Sequence, residues 1–298
     1  METKQQPKKA LVLGGGGTTG TAWEIGLLLG LYEGGIDVTD VDLIIGTSAG
    51  SVTGAQITSG LTLQELYALQ LRPIEQAKER VVPLDQDILR KVFVAGTGAA
   101  DAQTARARIG AVALAAQTMS EEERLDIIAE RLSVQDWPST PRLVIIAIDA
   151  QTGEWVLFDK ASAVPLVLAV AASTAFPGVS PPTTIGGHRY IDGGFRSATN
   201  ADLAKGAQRV LILSPLTFDS SAQDGPANSA YIKTFEDEQV QLQQAGAQVL
   251  VITPDEASVA AKGPHASDSR RLALSARAGC AQGHLLAESV KRFWGSVI

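Results

Sequence analysis

The sequence predicts an α/β fold built on a parallel sheet, and three stretches carry that prediction. Lys9–Leu13 (KALVL) reads as a short buried strand, and a run of glycines follows it. A helical pattern then spans about Thr21 to Glu33, and the apolar run Val41–Ile45 reads as a second buried strand. Strand, helix, strand in close succession is a βαβ unit, which implies parallel pairing through a right-handed crossover.

In chain order, the first helix carries Ala22, Ile25, Leu28, Leu29 and Tyr32 at helical spacing and stops at Gly34-Gly35. The second strand runs into Gly46-Thr47-Ser48-Ala49-Gly50, which fits G-x-S-x-G. In that pattern a serine sits on a strained strand-to-helix turn. Glycines two before and two after it are required because a Cβ has no room there. From Thr53 to Val82 the pattern is helical, interrupted at Gly60, restarted by Thr62 and stopped by Pro83. Asp85 is expected to cap a helix Gln86–Val94, and Asp101–Thr118 reads as an alanine-rich helix, a surface element or a movable cover. Ser120-Glu121-Glu122-Glu123 is a capping box for a helix to Leu132.

Arg142–Asp149 and Glu154–Phe158 read as two strands joined by a glycine-containing turn. Ser162–Ala172 is a short helix and Ser173–Pro182 a proline-broken loop. Tyr190-Ile191 is a brief strand ending in Asp192-Gly193-Gly194. Arg209–Ser214 and Gln248–Thr253 are further buried strands with a helix near Tyr231–Ala245 between them, and Arg271–Trp294 is a closing helix. The whole is expected to be one domain over 1–298, with the motif-bearing core at about 9–215.

Composition narrows the function. At 45% hydrophobic and 19% charged residues the balance is that of an ordinary globular protein. The net charge of −7 argues against nucleic-acid binding. The N-terminal apolar run, Ala10–Leu13, is too short for a signal-peptide core, and no stretch approaches the ~18 apolar residues of a membrane span. A cytoplasmic location is the expectation. The single cysteine, Cys280, excludes an intrachain disulfide and a cysteine-based zinc site. The scattered His188, His265 and His284 argue against a metal centre, so neither metal nor cofactor is expected.

The glycine loop after the first strand has three readings. Gly15-x-Gly17-x-x-Gly20 fits the dinucleotide fingerprint of an NAD(P)-binding oxidoreductase, but the acidic residue wanted at the end of the second strand is missing; Asp42 lies at its beginning. Consecutive glycines can instead turn several amide N–H groups onto one oxygen, making an oxyanion hole beside the serine turn. A tight turn and nothing more is the third. Asp192 is the leading partner for Ser48, since two glycines after it let its carboxylate approach another backbone; Asp-Gly is also a common turn dipeptide. A histidine relay through His265 or His284 would match the order Ser…Asp…His. Neither histidine sits just past a clear strand, and His188 reads as a turn residue.

Four elements in order over about Lys9–Gly194 together resemble the patatin-like phospholipases. They are the glycine loop, G-x-S-x-G, the S-x-x-F-P-x-x-x-P-P segment Ser173–Pro182, and the final D-G-[GA]. The resemblance implies a three-layer α/β/α sandwich, a Ser–Asp dyad without histidine, and hydrolysis of lipid acyl esters. Ser48 would be the nucleophile and Asp192 the base. Gly15, Gly16 and Gly17 would form the oxyanion loop, with the N–H of Ala49 assisting and Gly46, Gly50 and Gly193 shaping the turns. A lipid substrate implies transient contact with a membrane surface. The family's loop usually reads G-G-G-x-[RK]-G, and Thr19 stands where the basic residue belongs. A catalytically silent lipid-binding homologue is the remaining alternative.

Overall fold

The computed structural model describes residues 8–73, 86–217 and 225–295. In chain order the elements are β1 (Lys9–Leu13), α1 (Gly17–Glu33), β2 (Leu43–Gly46), α2 (Ala49–Ile57), α3 (Leu63–Gln70), α4 (Gln86–Ala95), α5 (Ala102–Ala115) and α6 (Glu121–Arg131). Then come β3 (Arg142–Asp149), β4 (Trp155–Phe158), α7 (Leu166–Ser173), β5 (Thr183–Ile185), β6 (His188–Asp192), β7 (Arg209–Leu213), α8 (Gly225–Gln244), β8 (Gln248–Ile252), α9 (Glu256–Lys262) and α10 (Leu272–Trp294).

The fold is α/β with a mostly parallel central sheet flanked by helices. Along the sheet the order is β5-β6-β3-β2-β1-β7-β8, with β4 paired to β3. The pairs β1–β2, β1–β7, β2–β3 and β7–β8 are parallel; β3–β4, β3–β6 and β5–β6 are antiparallel. Alternation along the strands divides the core into two layers. Leu11, Leu13, Ile44, Leu143, Ile145, Leu211 and Leu213 face the cluster that holds Trp23, Leu27 and Leu31 of α1. Ala10, Val12, Ile45, Val144, Val210 and Ile212 face the other, with Leu242 of α8.

The register around β3 sets the site. Ile145 is paired on both edges, to Gly46 and to Phe158, and Ala147 again on both, to Val156 and Asp192. Since β4 holds one edge throughout, β6 continues the edge that β2 leaves. Asp192 therefore pairs only two residues along β3 from the end of β2, roughly 7 Å on.

α1 is buried almost all round, from Thr19 to Leu31, which explains why its sequence is apolar on every face. It begins at Gly17, four residues before the expected Thr21, because the Gly20 N–H donates to the Gly16 carbonyl and closes a first turn out of the glycine loop. Both expected caps at Thr62 and Ser120 are reciprocal capping boxes, with Glu65 and Glu123. The helical expectation for 74–82, the stop at Pro83 and the cap by Asp85 lie outside the described residues. Two elements were not expected: α9, and β5, which forms a hairpin with β6 across Gly186-Gly187, both at positive φ.

The alanine-rich helix is no loose cover. A Cβ on Gly110 would lie 1.9 Å from the Ala150 carbonyl oxygen, and Arg106 Nε donates to the Gly153 carbonyl at 2.8 Å. α5 is docked backbone to backbone on the turn after β3. Among the described residues, no helix is long and apolar enough to cross a membrane.

Candidate active site

At the carboxyl end of β2 the chain turns sharply into α2, with Ser48 at the apex at φ 51°, ψ −116°. A non-glycine residue in that region stores roughly 1–3 kcal/mol of strain. What holds it there is visible in the flanking glycines. A Cβ on Gly46 would lie 2.7 Å from the Gly50 carbonyl oxygen, and one on Gly50 only 2.0 Å from that of Leu13. The motif spacing is therefore a packing requirement: α2 starts in backbone contact with β1.

Ser48 Oγ donates to Asp192 Oδ2 at 2.7 Å, and the other carboxylate oxygen accepts the Gly194 N–H at 2.7 Å. Gly193 lets this loop lie against β3, since a Cβ there would meet the Ile146 carbonyl oxygen at 2.3 Å. Asp192 is only 3% exposed, and burial pushes its carboxyl up to about 6 against the opposing pull of the Gly194 N–H, the Ser48 hydroxyl and the Arg124 charge. No hydrogen bond among the described residues joins a histidine to either group. His188 Nδ1 lies 2.8 Å from Asp149 Oδ2, on β6 and not merely in a turn, and His284 Nε2 lies 2.9 Å from Glu33 Oε2. His265 lies in the loop after α9.

The S-x-x-F-P segment reaches both members of the pair. The Ser48 N–H donates to Ser173 Oγ at 3.0 Å, and the Asp192 N–H donates to the Ala175 carbonyl at 3.1 Å. Asn200 joins the same two loops from behind. Fully buried and at φ 51°, its Nδ2 donates to Thr47 Oγ1 at 3.0 Å, to the Ser197 carbonyl at 2.9 Å and, more weakly, to the Gly193 carbonyl at 3.4 Å. Its Oδ1 accepts from Arg196 Nη1 at 2.6 Å. The sequence reading assigned no role to Asn200. An asparagine has no local signature, although its tolerance of left-handed backbone is a known property.

The glycine loop corrects one expectation. The Gly15 N–H is taken by the Ala198 carbonyl at 2.8 Å, whereas among the described residues the amides of Gly16, Gly17 and Ala49 have no acceptor. All of these residues line one cavity with Ser48 and Asp192, of about 470 Å³. Its apolar wall includes Val52, Phe93, Ile127, Phe176 and Val179, and Arg124 brings positive charge. No residue of α5 lines it. Thr19 is fully buried and turned away: its N–H and Oγ1 both donate to the Ala266 carbonyl, at 3.0 and 2.9 Å. Ala266, Ser267 and Ser269, from the loop after α9, complete the cavity wall.

The dinucleotide reading loses its acidic partner. Asp42 sits at the amino end of the sheet, where its carboxylate accepts the N–H groups of Lys8 and Lys9, at 2.8 and 2.9 Å.

The family description "Patatin-like phospholipase" matches residues 11–205, well over half of the 298-residue chain. The chain belongs to the patatin-like phospholipase family. Members of this family are lipid acyl hydrolases. Among solved structures it is similar to VipD from Legionella pneumophila, at 14% identity and TM-score 0.44, over 97% of this chain and 69% of that one. It is also similar to ExoU, solved with SpcU from the type III secretion system of Pseudomonas aeruginosa. There the identity is 16% and the TM-score 0.38, over 98% of this chain. This patatin-like chain spans 54%, about half, of ExoU's length.

Proposed function

We propose that this patatin-like protein is a serine hydrolase of lipid acyl esters, in the phospholipase A, lysophospholipase or carboxylesterase class, with Ser48 as nucleophile and Asp192 as base. The observation that carries the reading is the 2.7 Å contact between Ser48 Oγ and the buried Asp192 carboxylate at the floor of an apolar cavity. A serine alcohol needs a base within hydrogen-bond reach. A carboxylate near its ordinary 3.8 is a feeble one, and burial lifts Asp192 toward the pH at which it can take a proton and later return it.

Asp192 accepts the hydroxyl proton as Ser48 attacks the ester carbonyl. The amides of Gly16, Gly17 and Ala49, which have no acceptor among the described residues, are available to the developing oxyanion, and each such donor contributes about 2.7–4 kcal/mol of barrier lowering. The proton then passes to the leaving alcohol, and water attacks the acyl-serine with Asp192 again as base. The acyl chain lies along the apolar wall. Phe93 and Leu216 line the cavity and stay exposed, giving a lip on which aggregated lipid can rest.

Reaction with a fluorophosphonate probe followed by mapping of the labelled residue tests the reading. Label on Ser48, abolished in Ser48→Ala, is the expected result. A chain that turns over no p-nitrophenyl acyl ester and takes no label is the silent lipid-binding homologue, and the proposal fails.

A further inference from the structure

The contact between α1 and α10 is made at backbone level. A Cβ on Gly30 would lie 2.1 Å from the Cys280 carbonyl oxygen, and one on Gly283 would lie 2.4 Å from that of Leu27. Side chains bordering such a contact are held at a fixed separation. Glu33 follows Gly30 by one turn, and Cys280 and His284, four residues apart on α10, share one face. Glu33 Oε2 lies 2.9 Å from His284 Nε2 and 4.0 Å from Cys280 Sγ. One ligand atom from each of the three residues lies within 4.8 Å of the others.

We propose that Glu33, Cys280 and His284 form a binding site for a divalent transition metal of the zinc type, with the fourth position left to water. The donor set selects the metal: thiolate sulfur, imidazole nitrogen and carboxylate oxygen are zinc's ligands, whereas calcium and magnesium take oxygen alone. Tetrahedral coordination at zinc's bond lengths sets ligand atoms about 3.3–3.5 Å apart. The nitrogen–oxygen pair must open by roughly 0.4 Å, the sulfur–oxygen pair close by roughly 0.5 Å and the sulfur–nitrogen pair, within 4.8 Å, close by up to about 1.3 Å, movements that side-chain rotation supplies on a fixed backbone. His284 and Glu33 keep 47% and 42% of their side-chain surface in solvent, so an ion has a path in.

Binding changes no oxidation state. The Cys280 thiol proton leaves to solvent, and the sulfur, the Nε2 lone pair of neutral His284 and a Glu33 oxygen donate to the ion. The expectation of no metal centre rested on scattered histidines and a lone cysteine; folding brings one of each beside a glutamate 247 residues away from the cysteine.

The site is remote from the ester chemistry. Glu33 is the last residue of α1 and Gly17 the first, so it lies about 24 Å from the glycine loop. A bound ion would clamp α10 to α1 without touching Ser48 or Asp192.

Titration of the chelator-treated chain, carrying no histidine tag, with Co²⁺ tests this. One equivalent should give a near-ultraviolet thiolate-to-cobalt charge-transfer band with the intense visible bands of four-coordination, both removed by Zn²⁺. Cys280→Ser should lose the charge-transfer band. His284→Ala should weaken binding by at least ~100-fold, the upper end of what even an outer partner contributes. Zn²⁺ should raise the Tm of the native chain and leave that of the Cys280→Ser/His284→Ala variant unmoved. Absence of a thiolate band at saturating Co²⁺, or an unaltered affinity in that variant, overturns the proposal. Both substitutions, remote from Ser48 and Asp192, should leave ester hydrolysis unchanged, so failure here is separable from failure of the proposed hydrolase.

Discussion

Replacing Asp192 by asparagine should have opposite effects on activity and on stability, and both follow from one environment. Burial holds the carboxyl at about 6, roughly two pH units above its ordinary 3.8. As the proposed base it must be ionised. The kcat/KM of the native chain should therefore rise through pH 5–7 with an apparent midpoint near 6, standing at about one tenth of its plateau at pH 5. For stability the sign is set by proton uptake. Between 3.8 and about 6 the folded chain holds a proton that the unfolded chain has released, so stability falls as pH rises through that window and stays low above it. Two units correspond to about 3 kcal/mol. Asparagine keeps the shape without the charge, so Asp192→Asn should abolish hydrolysis. It should also raise stability at pH 8 by up to about 3 kcal/mol, or roughly 5 °C in Tm, with little gain at pH 4. The assays are p-nitrophenyl ester hydrolysis from pH 4.5 to 8.5 and thermal melts at both pH values. A flat profile across pH 5–7, or a gain of the Asn variant over the native chain no larger at pH 8 than at pH 4, would refute the reasoning.

Other substitutions separate packing from chemistry. Gly50→Ala drives a Cβ to 2.0 Å from the Leu13 carbonyl oxygen and should cost at least ~3 kcal/mol, read as loss of a cooperative melt or of soluble protein. Gly15→Ala meets Ser48 Cβ at 3.5 Å and the Ala198 and Thr47 carbonyl oxygens at 3.6 and 4.0 Å, all ordinary contacts, so it should melt near the native temperature while slowing hydrolysis by crowding the serine. Ser173→Ala leaves the Ser48 N–H without its acceptor; about 1–3 kcal/mol of stability should go, with a fall in kcat larger than any rise in KM. Asn200→Ala removes donors to Thr47, Ser197 and Gly193 and puts alanine at φ 51°, so a loss of at least ~2 kcal/mol and of most activity is expected, neither restored by Asn200→Asp.

Much of this was legible in sequence because its cause is local. The strands β1, β3 and β7 begin at the expected Lys9, Arg142 and Arg209, each one residue before an apolar run, and both capping boxes close as their spacing requires. Gly46 and Gly50 could be read as obligatory because the serine turn excludes a Cβ at both positions. What stayed hidden depends on contacts distant in the chain. Nothing near Gly15 announces that Ala198 takes its amide, and nothing near Thr19 announces Ala266. The alanine-rich stretch looked weakly packed because alanine offers little area, yet small residues are what permit Gly110 to touch Ala150. The β5–β6 hairpin did carry a local signal in Gly186-Gly187, between the expected loop Ser173–Pro182 and the expected strand Tyr190-Ile191.

The direct serine–carboxylate contact explains why the site needs the surroundings it has. In a triad the imidazole already titrates near neutrality, and the aspartate behind it only orients and stabilises. In the proposed dyad Asp192 touches Ser48 itself, so its own proton affinity has to rise, and burial at the β3 edge is the means. Burial without partners would raise it further. The Gly194 N–H, the serine hydroxyl and the charge of Arg124 pull it back to about 6. That balance needs two loops, 144 residues apart in the chain, to stay in register. Asn200 and Ser173 meet the need by hydrogen-bonding the loops from two sides. Loosening either should shift the midpoint of the pH–rate profile as well as its height, a signature that simple loss of folded protein cannot produce.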